Sequence, residues 1–283
     1  MSDQTIDLTQ QPDANQPEQQ DDATAHREFQ QAVKVGAALP FWAVFKRELA
    51  VYFRSPVAYA IAFAVLFFLG LLFNAFISQT NGQFPADATY IPGLITFLLF
   101  LIAPLLTMRL LAEEAREGTM EVMMTLPMNE TQFIIGKFLA AWAYYTIVLL
   151  LTVVHLVILA QIGIPDMGAA FGAYFGAWLY GGAVLAVSMI WSAITEDQVV
   201  AAFLGAATIL VLYLADVAAI WLANQGSVTG VADFVRELGL NAHYGPTLAR
   251  GVIRAEDVVY FILMIVGALF ITTRIVETRR WRG

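Results

Sequence analysis

The chain has 283 residues, of which 59% are hydrophobic and 13% charged, whereas about 25% of the residues in an average soluble domain are charged. This number of charges is too small to cover the surface of a soluble protein. The composition therefore excludes an ordinary soluble enzyme and indicates an integral membrane protein. The formal charge of -8 argues against nucleic-acid binding, which needs clustered Lys and Arg. The absence of cysteine excludes disulfides, thiolate metal sites and cysteine nucleophiles.

Most of the net negative charge lies at the N-terminus. Residues 1–28 hold seven acidic side chains and one basic one, which is -6 of the total -8. Such a segment buries too little apolar surface to offset the entropy of ordering, and it lacks the basic start and apolar run of a signal peptide. We expect residues 1–38 to form a disordered acidic cytosolic tail, with an acidic docking tail as the alternative. Residues 39–283 are then one membrane domain.

Six apolar runs are each close to the roughly 20 residues that a helix needs to cross a bilayer. They predict an all-α integral membrane protein with six transmembrane helices. Twelve basic residues fall on the side of the N-terminus and three on the other side, so the positive-inside rule predicts that both termini are cytoplasmic. The predicted spans are residues 57–77, 91–108, 138–162, 167–194, 199–222 and 258–273, the last of them short.

Residues 39–54, just before span 1, are predicted to lie along the membrane rather than through it. Aromatic and aliphatic side chains recur there at helical spacing, while the basic residues lie off that stripe, as in an interfacial amphipathic helix. Ser55–Pro56 is expected to end the helix. The alternative is that this helix extends span 1 into the cytosol. The residues assigned to it are Trp42, Phe45, Lys46, Arg47 and Glu48.

Residues 223–257, between spans 5 and 6, are too long for a simple turn. They are weakly apolar and are expected on the outer side of the membrane. Short helices that dip into the outer leaflet are one interpretation, provided that protein or water satisfies their backbone.

The cytosolic connection between spans 2 and 3 concentrates charge in an otherwise charge-poor part of the chain, with Glu113, Glu114, Arg116, Glu117, Glu121 and Glu130. Gly118–Thr119 interrupts it, and Thr119 is suited to capping a short helix over residues 120–126, which Pro127 helps to end. Methionines on such a helix would suit the groove of a soluble partner, because methionine is flexible and polarizable.

This connection resembles the permease subunits of ABC-2 type transporters. The resemblance rests on Glu113-Glu114-Ala115-Arg116-Glu117-Gly118-Thr119-Met120-Glu121, followed by Pro127 and Gly136-Lys137. Residues 192–201 look like the second cytoplasmic turn of that family. The ending, residues 249–281, is similar to the gliding-motility-associated branch.

The resemblance implies a pair of six-span subunits, either two copies or one copy with a related membrane subunit, each docking a separate cytosolic ABC ATPase. It implies that the helix after Glu113-Glu114, which we call the Glu-Glu motif, couples to the ATPase and that the interfacial helix also contacts the ATPase. It also implies that the outer segment forms re-entrant helices. The implied coupling residues are Glu113, Glu114, Arg116, Gly118, Thr119, Met120, Glu121, Met124 and Pro127. Those of the second cytosolic turn are Thr195, Glu196, Asp197 and Gln198.

The chain is not expected to hydrolyse ATP. A phosphate-binding loop needs Gly, four residues, then Gly-Lys-Ser/Thr, but Phe138 follows the only Gly-Lys pair, Gly136–Lys137. We therefore expect a non-enzymatic permease with no cofactor of its own, whose partner ATPase binds ATP and Mg. The resemblance favours export of an unidentified substrate across a bacterial inner membrane, with a periplasmic auxiliary subunit as a further candidate partner.

Two polar residues lie inside predicted spans. Asp216 in span 5 either faces the transport path, pairs with a buried cation, or lies near the outer interface; an intramembrane carboxylate is costly and usually functional. His155 in span 3 is expected to hydrogen-bond a neighbouring helix rather than relay protons. No histidine cluster suggests a metal.

Span 4 carries small residues four apart, which let helices approach closely: Gly168, Gly172 and Gly176. Their partner is either another span or a second permease.

The competing functions are an ion- or proton-coupled secondary transporter, which should have several intramembrane carboxylates and repeated halves, and an intramembrane enzyme, for which no HExxH or GxSxG motif occurs.

Overall fold

The computed structural model describes residues 41–80, 87–119, 129–224 and 229–280, and every regular element in these ranges is helical. Six of the helices are long and apolar enough to cross a membrane, which confirms the predicted all-α, six-span class. An N-terminal helix covers residues 41–54. The spans are Pro56–Thr80, Tyr90–Thr107, Glu130–Leu151 continued by Val153–Ile162, Met167–Ile194, Gln198–Asn224 and Ala255–Arg280.

Spans 3 and 6 are longer than their apolar runs. Span 3 begins at Glu130, where the Asn129 side chain accepts a hydrogen bond from the Thr131 backbone N–H at 3.1 Å, and span 6 has 26 residues. The predicted limits were wrong at these ends because a hydrophobic run stops at the first charge, whereas a helix continues into the polar region.

Span 4 forms the centre of the bundle. It contacts spans 2, 3, 5 and 6, and 78% of its apolar window is buried, against 17% for spans 1 and 5. The apolar surfaces of the two peripheral spans therefore remain for lipid or for another subunit.

The segment before span 6 contains short helices, as the sequence allowed. Thr229–Glu237 and Leu240–Tyr244 are α-helical, Leu248–Arg250 is a 3₁₀ turn, and this outer segment contacts spans 4 and 5. Re-entry of these helices into the membrane stays a prediction.

The two ends of the bundle differ in charge. The end that carries the N-terminal helix, the turn after span 2 and the start of span 3 is called the basic end below. The outer segment lies at the opposite end.

The predicted tail, residues 1–38, lies outside the described residues and stays a prediction.

Candidate coupling site

Four charged side chains meet at the basic end. Lys137 Nζ lies 3.1 Å from Glu48 Oε1 and 2.9 Å from Glu114 Oε1, and the Arg47 guanidinium contacts the same two oxygens at 2.6 and 2.9 Å. The cluster is electrically balanced. It joins the N-terminal helix, the Glu-Glu motif and span 3, so these three elements are bound to one another by charge. We call these four residues the ion cluster.

Burial makes the ion cluster sensitive to change. The Lys137 side chain is 2% exposed and lies over the Phe133 ring, while Arg47 is largely open to solvent. Partial burial lowers the pKa of Arg47, but the hydrogen bonds and charges of Glu48 and Glu114 outweigh it and raise that pKa above its usual value. Removing one partner from such a cluster would leave a buried charge uncompensated.

The N-terminal helix docks through a stripe that shares Tyr52 with the predicted one, which comprised Trp42, Phe45, Leu49, Tyr52 and Phe53. Val44, Glu48 and Tyr52 are buried, whereas Trp42 and Phe53 are 54% and 40% exposed. The reason is that Glu48 reaches Lys137, which turns that carboxylate inward and the two aromatic rings outward. Phe45 is half-buried and Lys46 is exposed.

Two contacts lock this helix in place. A Cβ on Gly136 would lie 3.1 Å from Val44 Cγ1, so the glycine gives the helix room to approach span 3. The buried Tyr52 hydroxyl donates to the Leu106 carbonyl at 2.7 Å, and its ring stacks on Tyr144. Burial, helped by the Glu48 charge, raises the Tyr52 pKa and keeps the hydroxyl protonated as a donor.

Span 4 holds the turn that follows span 2. Ser192 Oγ accepts from the backbone N–H groups of Leu111 and Ala112, both at 3.1 Å, and donates to the Met108 carbonyl. One turn earlier, the Thr107 hydroxyl donates to Ser188 Oγ at 2.9 Å. The base of the Glu-Glu motif is therefore fixed to the central span as well as to span 3.

The Glu-Glu motif itself forms a short helix. Ala112–Arg116 is helical, with Glu113 partly buried and Arg116 exposed. Gly118 follows at φ +69°, the left-handed conformation that commonly ends a helix. Thr119 Oγ1 contacts the Glu114 carbonyl at 3.4 Å. The rest of the predicted coupling helix lies outside the described residues: Met120, Glu121, Met124 and Pro127.

The turn between spans 4 and 5, which is predicted to be the second cytosolic turn, forms a helix cap. Asp197 Oδ1 accepts from the backbone N–H groups of Val199 and Val200 at 2.7 and 3.1 Å, and the Asp197 N–H donates to Thr195 Oγ1. Glu196 is exposed, and Gln198 begins span 5. An Asp at this position gives span 5 a defined start.

The intramembrane polar residues have local partners. Asp216 Oδ1 lies 3.7 Å from Arg236 Nε, and Asn241 Nδ2 lies 3.4 Å from Asp216 Oδ2, so Asp216 contacts the outer segment. His155 Nδ1 lies 3.0 Å from the Thr152 carbonyl of its own helix. Its ring meets span 1 edge-on at Phe73, so the neighbouring helix touches the ring by packing.

The outer segment packs against the small residues of span 4. A Cβ on Gly172 would lie 2.5 Å from Gly251 Cα, and a Cβ on Gly176 would lie 2.7 Å from Leu248 Cβ. The nearest atom to a Cβ on Gly168 belongs to its own capping residue, Asp166. The partner of these small residues is thus the turn before span 6, which is neither of the two predicted partners, another span or a second permease.

Sequence reasoning missed several residues that build the site. Lys137 was predicted only as a cytosolic basic residue and as part of the Gly136–Lys137 pair, although a lysine inside an apolar helix signals a buried partner. Tyr52 and Ser192 lie in segments that the sequence singled out, but their hydrogen bonds to the end of span 2 and to the turn after it were not predicted. Ser188 gives no sequence signal, because serine is an ordinary residue in such helices. Among the described residues, no group of three or more His, Cys, Asp or Glu is arranged to hold a metal.

The comparisons with known proteins identify the family of the chain. No curated protein matches the chain. The family model described as "ABC-2 family transporter protein" matches residues 4–236, which covers most of the chain and all of the charged motif between spans 2 and 3. The chain therefore belongs to the ABC-2 transporter family and is a multi-pass membrane permease subunit of an ABC transporter, a membership that implies an ATPase partner.

Proposed function

We propose that this permease exports its substrate, using ATP hydrolysis by a separate cytosolic ATPase that docks at the basic end. The observation that carries the proposal is the ion cluster. Force applied to the Glu-Glu motif reaches the N-terminal helix through Arg47 and Glu48 and reaches span 3 through Lys137.

A second rigid contact supports the same route. Ser192 binds the turn after span 2 and Ser188 binds Thr107 at the end of span 2, so both serines join this part of the chain to span 4, the central helix of the bundle. A displacement of residues 108–119 would therefore act on the whole bundle. Packed helices transmit such movements because protein interiors are close-packed and have low compressibility.

We propose that the basic end faces the cytoplasm of a bacterial inner membrane, with both termini on that side. Twelve of the fifteen basic residues lie on the connections and tails of that side, which is the distribution expected of cytoplasmic segments. ATP and Mg would be bound by the partner chain. The permease would provide the docking surface for that ATPase and the path for the substrate.

We propose further that the permease works as a pair, either with a second copy or with a related membrane subunit. The poorly buried spans 1 and 5 offer surfaces for such a subunit. The resemblance of residues 249–281 to the gliding-motility-associated branch favours a periplasmic auxiliary subunit, which a gene beside this one would be expected to encode.

Co-purification tests the proposal. The tagged chain, expressed with the ABC ATPase encoded nearest to its gene, should retain that ATPase in mild detergent and change its hydrolysis rate. The coupling variants Glu121→Arg and Gly118→Pro should uncouple hydrolysis while leaving membrane insertion intact, whereas Arg250→Gln at the opposite end should behave like the wild type. A chain that binds no ATPase would refute the proposal.

A further inference from the structure

A cavity of about 380 Å³ opens beside the ion cluster. It lies between the end of the N-terminal helix, the first turns of span 1 and the last turn of span 2. Span 1 begins at Pro56 and span 2 ends at Thr107, so the mouth of the cavity lies at the ends of two apolar helices. We expect the headgroups of the lipids to surround that level.

The cavity combines three charges with an apolar wall. Arg54, Arg109 and Glu113 line it together with Val57, Ile61 and Leu105. In the part of the chain that the structure describes, no ion pair involves any of the three charged side chains. Glu48 also lines the cavity, but its carboxylate is held by Arg47 and Lys137.

We propose that this cavity binds the headgroup of a glycerophospholipid that carries a primary ammonium, the chemistry of phosphatidylethanolamine. Two guanidinium groups suit a phosphate, because arginine presents paired donors to phosphate oxygens. The Glu113 carboxylate suits an ammonium that can donate hydrogen bonds. The acyl chains run along Val57 and Ile61 towards the apolar part of span 1.

Charge complementarity distinguishes this lipid from its neighbours in a membrane. An anionic phosphatidylglycerol headgroup would satisfy Arg54 and Arg109 but leave Glu113 without a cationic partner. The quaternary ammonium of phosphatidylcholine has no N–H to donate to that carboxylate. A lipid held here would bridge the N-terminal helix and the turn after span 2, next to the ion cluster.

Native mass spectrometry of the full-length chain tests the site. The purified protein is exchanged into an equimolar mixture of phosphatidylethanolamine, phosphatidylglycerol and phosphatidylcholine, and the retained lipid is counted. The wild type should retain phosphatidylethanolamine preferentially. Arg54→Gln combined with Arg109→Gln should lower that retention at least about tenfold, since each lost charge-assisted contact is worth about that factor.

Two further variants separate the site from general lipid adhesion. Glu113→Gln should remove the preference for phosphatidylethanolamine over phosphatidylcholine, and Arg250→Gln, which removes an exposed arginine at the opposite end, should change nothing. Equal retention by the wild type and the double arginine variant would overturn the proposal, as would a wild type that prefers phosphatidylglycerol.

Discussion

Lys137 Nζ lies 2.9 Å from Glu114 Oε1, and this contact joins span 3 to the charged motif that follows span 2. The same ammonium reaches Glu48 on the N-terminal helix. A single buried cation thus connects three elements that the chain sequence separates widely, and two of them contain residues expected to face the ATPase.

Lys137→Met should destabilise the protein strongly. It leaves Glu48 and Glu114 facing only the exposed Arg47, and breaking a buried ion pair costs about 3–5 kcal/mol. Unfolding of the purified protein in mixed detergent micelles measures the loss. Lys46→Met is the matched control, because Lys46 is an exposed lysine of the same basic end, and it should cost almost nothing.

A double variant tests whether the loss comes from the charges. Adding Glu114→Gln to Lys137→Met removes one of the uncompensated carboxylates and should recover part of the stability. If Lys137→Met costs no more than Lys46→Met, the ion cluster has no role in holding the N-terminal helix.

Gly118→Ala should weaken the turn that ends the Glu-Glu helix. A Cβ at this position meets no atom within 4 Å, so the effect comes from φ +69° alone and amounts to about 1–2 kcal/mol. Thermal unfolding measures it, and Gly118→Asn should be milder. Gly93→Ala, at a helical glycine with equal space around it, should be neutral or slightly stabilising; equal effects at both positions would contradict the strained turn.

Gly172→Ala should displace the outer segment from span 4. The added Cβ would lie 2.5 Å from Gly251 Cα, a backbone atom that cannot rotate away, and such overpacking costs about 1–3 kcal/mol. Loss of thermal stability, with faster proteolysis of the outer segment, is the expected result. Gly267→Ala in span 6 adds a methyl group to open space and should leave both measurements unchanged.

Single introduced cysteines report the orientation of the protein in the membrane. The chain has no cysteine of its own, so only the introduced thiol can be labelled. Lys46→Cys and Arg274→Cys, at the basic end, should resist a membrane-impermeant maleimide in intact cells with permeable outer membranes, and they should react after lysis. Arg250→Cys should react before lysis. The reverse pattern would place the basic end outside.

The sequence sufficed for what depends on composition and local pattern. Six spans, the break at Ser55–Pro56 and the interruption at Gly118–Thr119 follow from hydrophobicity, proline sterics and glycine freedom, which are properties of neighbouring residues. The docking stripe of the N-terminal helix was not predictable in this way, because Glu48 turns inward only in response to Lys137.

The partners of the small residues in span 4 show the same limit. The spacing of Gly172 and Gly176 predicts a close approach but not the approaching segment, and the structure brings in Gly251 and Leu248. Likewise, Asp216 meets Arg236 because the outer segment folds back on span 5, a tertiary arrangement that no local pattern encodes.

Site-directed cross-linking tests whether an ATPase docks at the basic end. Glu117→Cys, exposed in the turn after the Glu-Glu helix, and Arg250→Cys at the opposite end each receive a short linker that joins the thiol to lysines of the co-expressed ATPase. We predict a cross-linked product with Glu117→Cys and none with Arg250→Cys. No product from Glu117→Cys while the ATPase remains bound, or a product from Arg250→Cys, would contradict docking at the basic end.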